Sequence, residues 1–274
     1  MPTPSEHIKR FSVAIVTGGS SGIGASFIKA IRRLNPRLKV CNLSRSEPED
    51  FSGENSVHLS TDLSDPDALA ASAATVAALI EEAPLGEILL INNSAFGDYG
   101  LLGDLDAHKQ LNMIDLNIRG LVDLTCRLLP LMKERGGVVV NIASTTSFQP
   151  TPYLATYGAT KAFVLNWSLA LNEDLRGTKV RALAVCPGPT QSNFLKVAGL
   201  ESPTEQYARF NAFMEMTADR VVELTFRALA KEKAFIVTGW HNTIMTFLSS
   251  RLPRVFTTRL AGFLLRGMRS QKTD

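Results

Sequence analysis

The chain has 274 residues, 45% of them hydrophobic and 20% charged, the range of one large globular domain that can bury a sizeable core. Its 29 basic and 26 acidic residues leave a net charge of +3, too even a balance for nucleic-acid binding as the main task. Cys41, Cys126 and Cys186 lie far apart with neither CxxC nor Cys/His spacing, which points away from a disulfide framework or a zinc site and favours a reducing, cytoplasmic compartment.

The opening segment MPTPSEHIKRFSVAIVTGG runs into a strand-like stretch and lacks the apolar run and cleavage site of a secretory signal. No run reaches the roughly 18 consecutive apolar residues of a membrane span. Apolar, β-rich runs then alternate with helix-length segments. SVAIV at 12–16 precedes a helix over 23–34, and LKVCNL at 38–43 and SVHLS at 56–60 precede one over 65–82. EILLI at 87–91 precedes a helix over 105–133 that Pro130 should bend or end. GVVVNIA at 137–143 leads to a helix over 152–175, VRALAVC at 180–186 to one over 218–229, and AFIV at 234–237 closes the series. Most of these strands are apolar throughout, as in a parallel sheet covered on both faces. The pattern predicts a single α/β domain with a Rossmann-like, doubly wound parallel sheet flanked by helices. No repeat, low-complexity tract or linker divides it, and only 190–217 and the tail from 239 to 274 fall outside the rhythm.

Directly after the first strand, Thr17-Gly18-Gly19-Ser20-Ser21-Gly22-Ile23-Gly24 opens a helix. Glycines there permit a tight turn and close approach of backbone to a pyrophosphate, while the helix offers free N–H groups and its positive dipole end. Gly18, Ser20, Ser21, Gly22, Ile23 and Gly24 are therefore candidate dinucleotide contacts. The second strand ends in Ser44-Arg45, where an acidic residue would hold the ribose hydroxyls of NAD. Without that carboxylate a 2′-phosphate is not repelled, and Arg45 can pair with it, so NADP(H) is the expected cofactor. Asp62 and Leu63 after the third strand suit the adenine, and Asn93, Ser94 and Ala95 follow the fourth, all at strand ends where ligands bind such sheets.

Tyr157 and Lys161 stand four residues apart and so share one helical face, where the ammonium can depress the phenol pKa for proton exchange with a carbonyl or alcohol oxygen. Ser144, at the end of the fifth strand, can polarise the same oxygen, with Thr145, Thr146 and Ser147 as rivals. The sixth strand ends in Cys186-Pro187-Gly188-Pro189-Thr190, a rigid turn able to border a nicotinamide.

From Ser12 to Thr190 these residues, in this order, resemble the short-chain dehydrogenase/reductase family of classical type. The resemblance implies that Tyr157 is the general acid/base, that Lys161 holds the nicotinamide ribose and lowers the tyrosine pKa, and that Ser144 orients the carbonyl. It also implies that Asn117, in Asp115-Leu116-Asn117, supports a proton-relay water, and that Pro187, Gly188 and Thr190 meet the nicotinamide. Asn93-Ser94-Ala95 departs from the family's Asn-Ala-Gly. A dimer or tetramer through the two long central helices is implied as well.

The segment 190–217 carries Phe194, Tyr207, Phe210, Phe213, Met214 and Met216 where a substrate lid is expected, favouring an apolar ketone or aldehyde. Phe96, Tyr99 and Tyr153 are candidate pocket walls. His7, His58, His108 and His241 have no ligand-like spacing, and no metal is expected. Between Lys233 and Thr273 there is no acidic residue, yet Arg251, Arg254, Arg259, Arg266, Arg269 and Lys272 alternate with large apolar residues. This reads as basic amphipathic helix that either packs on the fold or a partner subunit, or touches an anionic membrane surface. The functional expectation is an NADPH-dependent carbonyl reductase or alcohol dehydrogenase; the alternative is a catalytically silent dinucleotide-sensing or scaffold protein with the same fold.

Overall fold

Seven strands carry the apolar runs of the sequence: Phe11–Thr17 (β1), Lys39–Ser44 (β2), Ser56–Ser60 (β3), Glu87–Asn92 (β4), Gly137–Ile142 (β5), Val180–Cys186 (β6) and Phe235–Val237 (β7). In the computed structural model, which describes residues 3–192, 194–199 and 214–266, they pair in parallel in the order β3-β2-β1-β4-β5-β6-β7. The order reverses between β1 and β4. A crevice opens there at the carboxyl ends of the strands, the place where open α/β sheets bind ligands.

Successive side chains of a strand point to opposite faces, and here both faces are dry. Leu89 and Ile91 of β4 join one core with Phe27, Ile31, Val221 and Phe226, contributed by helices α2 (Gly22–Leu34) and α8 (Ala218–Ala230). Ile88 and Leu90 join the other with Leu69, Val76, Ile80, Leu124 and Leu128 from α3 (Pro66–Glu82) and α5 (Leu121–Arg135). Helix α3 starts where predicted because Asp65 accepts bonds from the Asp67 and Ala68 N–H groups and Pro66 occupies the first turn. Helix α6 (Ala155–Asp174) packs Val164 and Leu165 against Ala184 on β6, which brings its first turns to the crevice. A short helix unforeseen in the sequence, α1 (Pro4–Ile8), is capped by Thr3 and Glu6.

The long central segment differs in detail from expectation. Helix α4 (Ala107–Ile114) passes through a π-helical turn, Asp115–Gly120, into α5, and α5 continues to Arg135 past Pro130. Pro130 does not end it: it lies with Cys126, whose carbonyl loses its helical partner, on the exposed face of the helix. Gly120 closes the π turn against the segment after β3, since a Cβ there would stand 2.4 Å from the Leu63 carbonyl oxygen. The tail is helical but broken at Pro253, giving α9 (Trp240–Arg251) and α10 (Arg254–Arg266). Of the segment 190–217, Phe194–Val197 (α7), Met214 and Met216 are described; Tyr207, Phe210 and Phe213, like Arg269 and Lys272 of the tail, lie outside the described residues. Among the described residues no helix is long and apolar enough to cross a membrane.

Candidate active site

The strand ends frame a cleft of about 720 Å³. At one end lies the glycine turn, with Gly18 at φ +67° and Gly22 at φ +54°, conformations that a side chain disfavours. Ser21, at the N-terminus of α2, makes no side-chain cap, so the first N–H groups of the helix are left for an anion. Ser20, Ser21, Gly22 and Ile23 line the cleft. Gly24 does not line it; it lies behind the turn, where a Cβ would stand 2.2 Å from the Gly18 carbonyl oxygen. Backbone cannot yield there as a side chain can, so Gly24→Ala is expected to cost about 1–3 kcal/mol of stability. Urea unfolding would read this, and an unchanged midpoint would refute the close packing of turn and helix.

Two residues that fix the turn escaped sequence reasoning. Asn42 accepts from the Gly19 N–H at 2.9 Å and donates to Ser44 Oγ at 2.8 Å. Thr17 Oγ1 accepts from the Asn93 and Ser94 N–H groups, both at 2.9 Å, and Asn93 Nδ2 returns bonds to the Thr17 and Gly18 carbonyls. The signal was present, since Asn42 is a polar residue inside an apolar strand and must be paired.

Ser44, Arg45, Asp62 and Leu63 lie along the same cleft, as do Ser94 and Ala95. The Ser44 hydroxyl donates to the Ser46 carbonyl at 2.7 Å, and Arg45 is exposed at the rim. Asp62 accepts from Ser64 Oγ and N–H at 2.6 and 2.9 Å, bonds that hold its carboxyl below the usual range, with the Arg45 charge adding a smaller push. The left-handed glycines, the open helix N-terminus, the absence of a carboxylate at Ser44 and the exposed Arg45 together fit a dinucleotide with an added phosphate.

The other end of the cleft holds the reactive side chains. Ser144 caps the turn Thr145–Phe148, accepting from the Thr146 N–H at 3.1 Å, and its side chain shares the cleft with that of Tyr157. Lys161 is buried, donates to the Ile142 carbonyl at 2.7 Å, and stands 5.9 Å from the Tyr157 ring centroid. The expected depression of the phenol pKa is reversed here. Desolvation against the cleft walls pushes Tyr157 up to about 12, against which the nearby Ser144 hydroxyl pulls less strongly, and burial brings Lys161 down to about 8. Burial prevails although the Lys161 ammonium lies over the Tyr157 ring at 5.9 Å, and that ammonium donates to a backbone carbonyl.

Asn117 is placed one layer back. Its side chain accepts from the Phe96 N–H, donates to the Phe96 carbonyl and reaches Thr160 Oγ1 at 3.0 Å, and Thr160 Oγ1 donates to the Tyr157 carbonyl. Asn117 thus ties the π turn to the loop after β4 and to the second turn of α6, and does not line the cleft. A second buried polar chain, Thr125 to Asn92 to Asn141 to Ser168, cross-links β4, β5 and the helices behind them.

Pro187, Gly188 and Thr190 border the reactive end, and the Pro187 carbonyl accepts from the Thr145 N–H at 2.8 Å. The wall beyond is apolar: Phe96, Leu154, Phe194, Met214, Met245 and Leu265 line it, and the Phe194 ring lies 4.9 Å from that of Tyr157. Tyr99 and Tyr153 do not line the cleft. They stack on each other, Tyr99 donates to the Leu265 carbonyl at 2.6 Å, and the Tyr153 hydroxyl accepts from Arg266 Nε at 3.3 Å, so this pair fastens α10 to the body.

A phenol, a serine hydroxyl and an amine converging on one end of a dinucleotide cleft are the equipment of a nucleotide-dependent oxidoreductase. Residues 12–202 match the family model described as short chain dehydrogenase, and the chain belongs to that family. A probable NADP-dependent dehydrogenase of Haemophilus influenzae is 35% identical over 190 residues, covering 65% of this chain and 71% of that protein. An uncharacterized oxidoreductase of Escherichia coli, YbbO, is 28% identical over 264 residues, covering 92% and 93%. Among solved structures, a short-chain dehydrogenase from Sphingobium yanoikuyae in complex with NADPH is 26% identical, with a TM-score of 0.71 over 89% of this chain and 97% of that one.

Proposed function

We propose that the protein is an NADPH-dependent carbonyl reductase or alcohol dehydrogenase acting on apolar ketones or aldehydes. The observation that carries this reading is the sharing of one cleft by the glycine turn and Arg45 at one end and Ser144, Tyr157 and Lys161 at the other. NADP(H), the ligand of the Sphingobium relative, would lie on Gly18, Ser20, Ser21, Gly22, Ile23 and Arg45, with Asn93, Lys161, Pro187, Gly188 and Thr190 toward its nicotinamide. When bound, it supplies the hydride. The protein's own residues do the rest. Ser144 and Tyr157 direct two hydroxyls at the substrate oxygen, and the phenol, protonated at neutral pH, gives its proton as the oxygen gains charge. Phe96, Phe194 and Met214 exclude water and select an apolar body.

As partners, a small-molecule substrate and a second copy of the chain are proposed. Exposed Leu111 and Ile114 on α4 and Phe163 on α6 support assembly through the central helices. The three cysteines, all free, are in keeping with a cytoplasmic enzyme.

The test is NADPH oxidation with a panel of ketones, aldehydes and 3-oxoacyl esters. Turnover favouring apolar carbonyls supports the reading, whereas tight NADPH binding without turnover on any of them favours the silent sensor. Cofactor choice is checked with Arg45→Ala, which is expected to weaken NADPH about 10- to 100-fold while leaving NADH nearly unchanged, the loss of one charge-assisted contact. Equal weakening of both would refute the role of Arg45.

A further inference from the structure

Helices α9 and α10 are turned inside out. Their fully buried residues are polar or small, Asn242 and Thr246 on α9 and Thr257 and Ala261 on α10, with the threonine hydroxyls bonded to backbone carbonyls of their own helices and only Met245 and Leu265 adding large apolar side chains on the inner side. Their outer faces carry Trp240, Ile244, Phe247 and Leu248, and then Phe256, Leu260, Phe263 and Leu264, both sets at the spacing i, i+4, i+7, i+8 that makes one helical stripe. Trp240 is 67% and Phe263 77% exposed, and more than half of the large exposed apolar side chains among the described residues lie between Trp240 and Leu264. A soluble monomer would place these stripes against its core, so their outward position calls for an apolar partner.

Charge decides which partner. No acidic residue occurs between Lys233 and Thr273. Arg251, Arg254 and Arg259 are exposed among the apolar residues and have no ion-pair partner among the described residues; Arg251 lies over the Phe247 ring at 4.7 Å. Two copies of this face laid together would oppose arginine to arginine with no carboxylate between them. An anionic lipid surface accepts the stripes among its acyl chains and the guanidinium groups among its phosphates.

The same helices wall the reactive cleft. Met245 of α9 and Ala261, Leu264 and Leu265 of α10 line it, and Leu264 is half exposed, so the apolar end of the cleft lies beside the outward stripe.

We propose that α9 and α10 seat the protein on an anionic membrane surface, so that a carbonyl compound dissolved in the bilayer enters the cleft past Leu264. The second half of this proposal rests on the carbonyl-reductase reading; the seating does not.

Flotation of the full chain with vesicles of phosphatidylcholine alone, or with about 30% phosphatidylglycerol, tests the seating. Binding to the anionic vesicles is expected to exceed binding to the neutral ones at least about tenfold and to weaken in high salt. Phe247→Ser with Phe263→Ser, and separately Arg251→Glu with Arg259→Glu, should each reduce it about tenfold or more while NADPH binding reports an intact fold. With an accepted ketone, both pairs of substitutions should keep the rate on a water-soluble substrate and lose it on one presented in anionic vesicles. No preference for anionic vesicles overturns the proposal. So does a dimer that the Phe247→Ser, Phe263→Ser variant dissolves in sedimentation without lipid, which would make a second copy the occupant. Flotation without turnover of any carbonyl would overturn the reading of function and leave the seating supported.

Discussion

Tyr157→Phe is expected to slow carbonyl reduction by about 10²- to 10⁴-fold, the usual contribution of a placed general acid, with NADPH affinity changed little. The substitution removes only the hydroxyl. The ring stays, keeping its contact with Phe194 at 4.9 Å and the cleft wall they form together. Ser144 keeps its place on the Thr146 N–H, so the variant removes the phenol proton and leaves the neighbouring hydroxyl in the cleft. Single-turnover NADPH oxidation with any accepted ketone isolates the step. A variant retaining near-normal rate would show that a different group delivers the proton. Tyr153 is poorly placed to be that group, since its hydroxyl is held by Arg266 at the foot of α10 and its side chain does not line the cleft.

The parts legible in the sequence are those whose cause is local. Strands such as EILLIN and VRALAVC show themselves because a strand buried on both faces must be apolar throughout, and Glu87–Asn92 and Val180–Cys186 are buried along nearly their whole length. The glycine turn is legible because the left-handed φ of Gly18 and Gly22 and the contact behind Gly24 each exclude a side chain. Helical periodicity puts Tyr157 and Lys161 on one face, and their position after the fifth strand and Ser144 singles them out.

What stayed hidden depends on contacts between distant segments. Nothing within the sequence near Pro130 tells that its face of α5 points to water, which is why the helix tolerates it. Asn117 stands out in the sequence only through the family resemblance, and the three hydrogen bonds of its side chain go to Phe96 and Thr160, 21 and 43 residues away. The electrostatics of the pair are hidden for the same reason: spacing places an ammonium near a phenol, but the depth of the cleft sets how much desolvation each suffers. The tail shows the limit most plainly. Its amphipathic pattern is visible in the sequence, but which side of the pattern faces the core is not, and the structure puts Asn242 and Thr257 inside and Phe263 outside.

Lys161 should govern the pH dependence of the enzyme. Its pKa, lowered by burial to about 8, means that the amine is charged below that pH and neutral above it. Tyr157, near 12, stays protonated across the working range and contributes no break when it acts as acid. For carbonyl reduction, kcat/KM for NADPH is therefore expected to be level through neutral pH and to fall above about pH 8, toward tenfold per unit, as the ammonium that would hold the ribose loses its charge. Lys161→Met should remove that break and lower kcat/KM to a flat value about 10²-fold or more below the wild-type plateau. The variant should fold. Methionine fills a similar volume, and although the Ile142 carbonyl loses its donor at 2.7 Å, the cost of burying an amine disappears with it. Alcohol oxidation should instead gain from rising pH on the side of the phenol, which must then accept a proton. Were the fall above pH 8 to persist unchanged in Lys161→Met, a different group would be titrating, and the assignment of Lys161 to the cofactor would be lost.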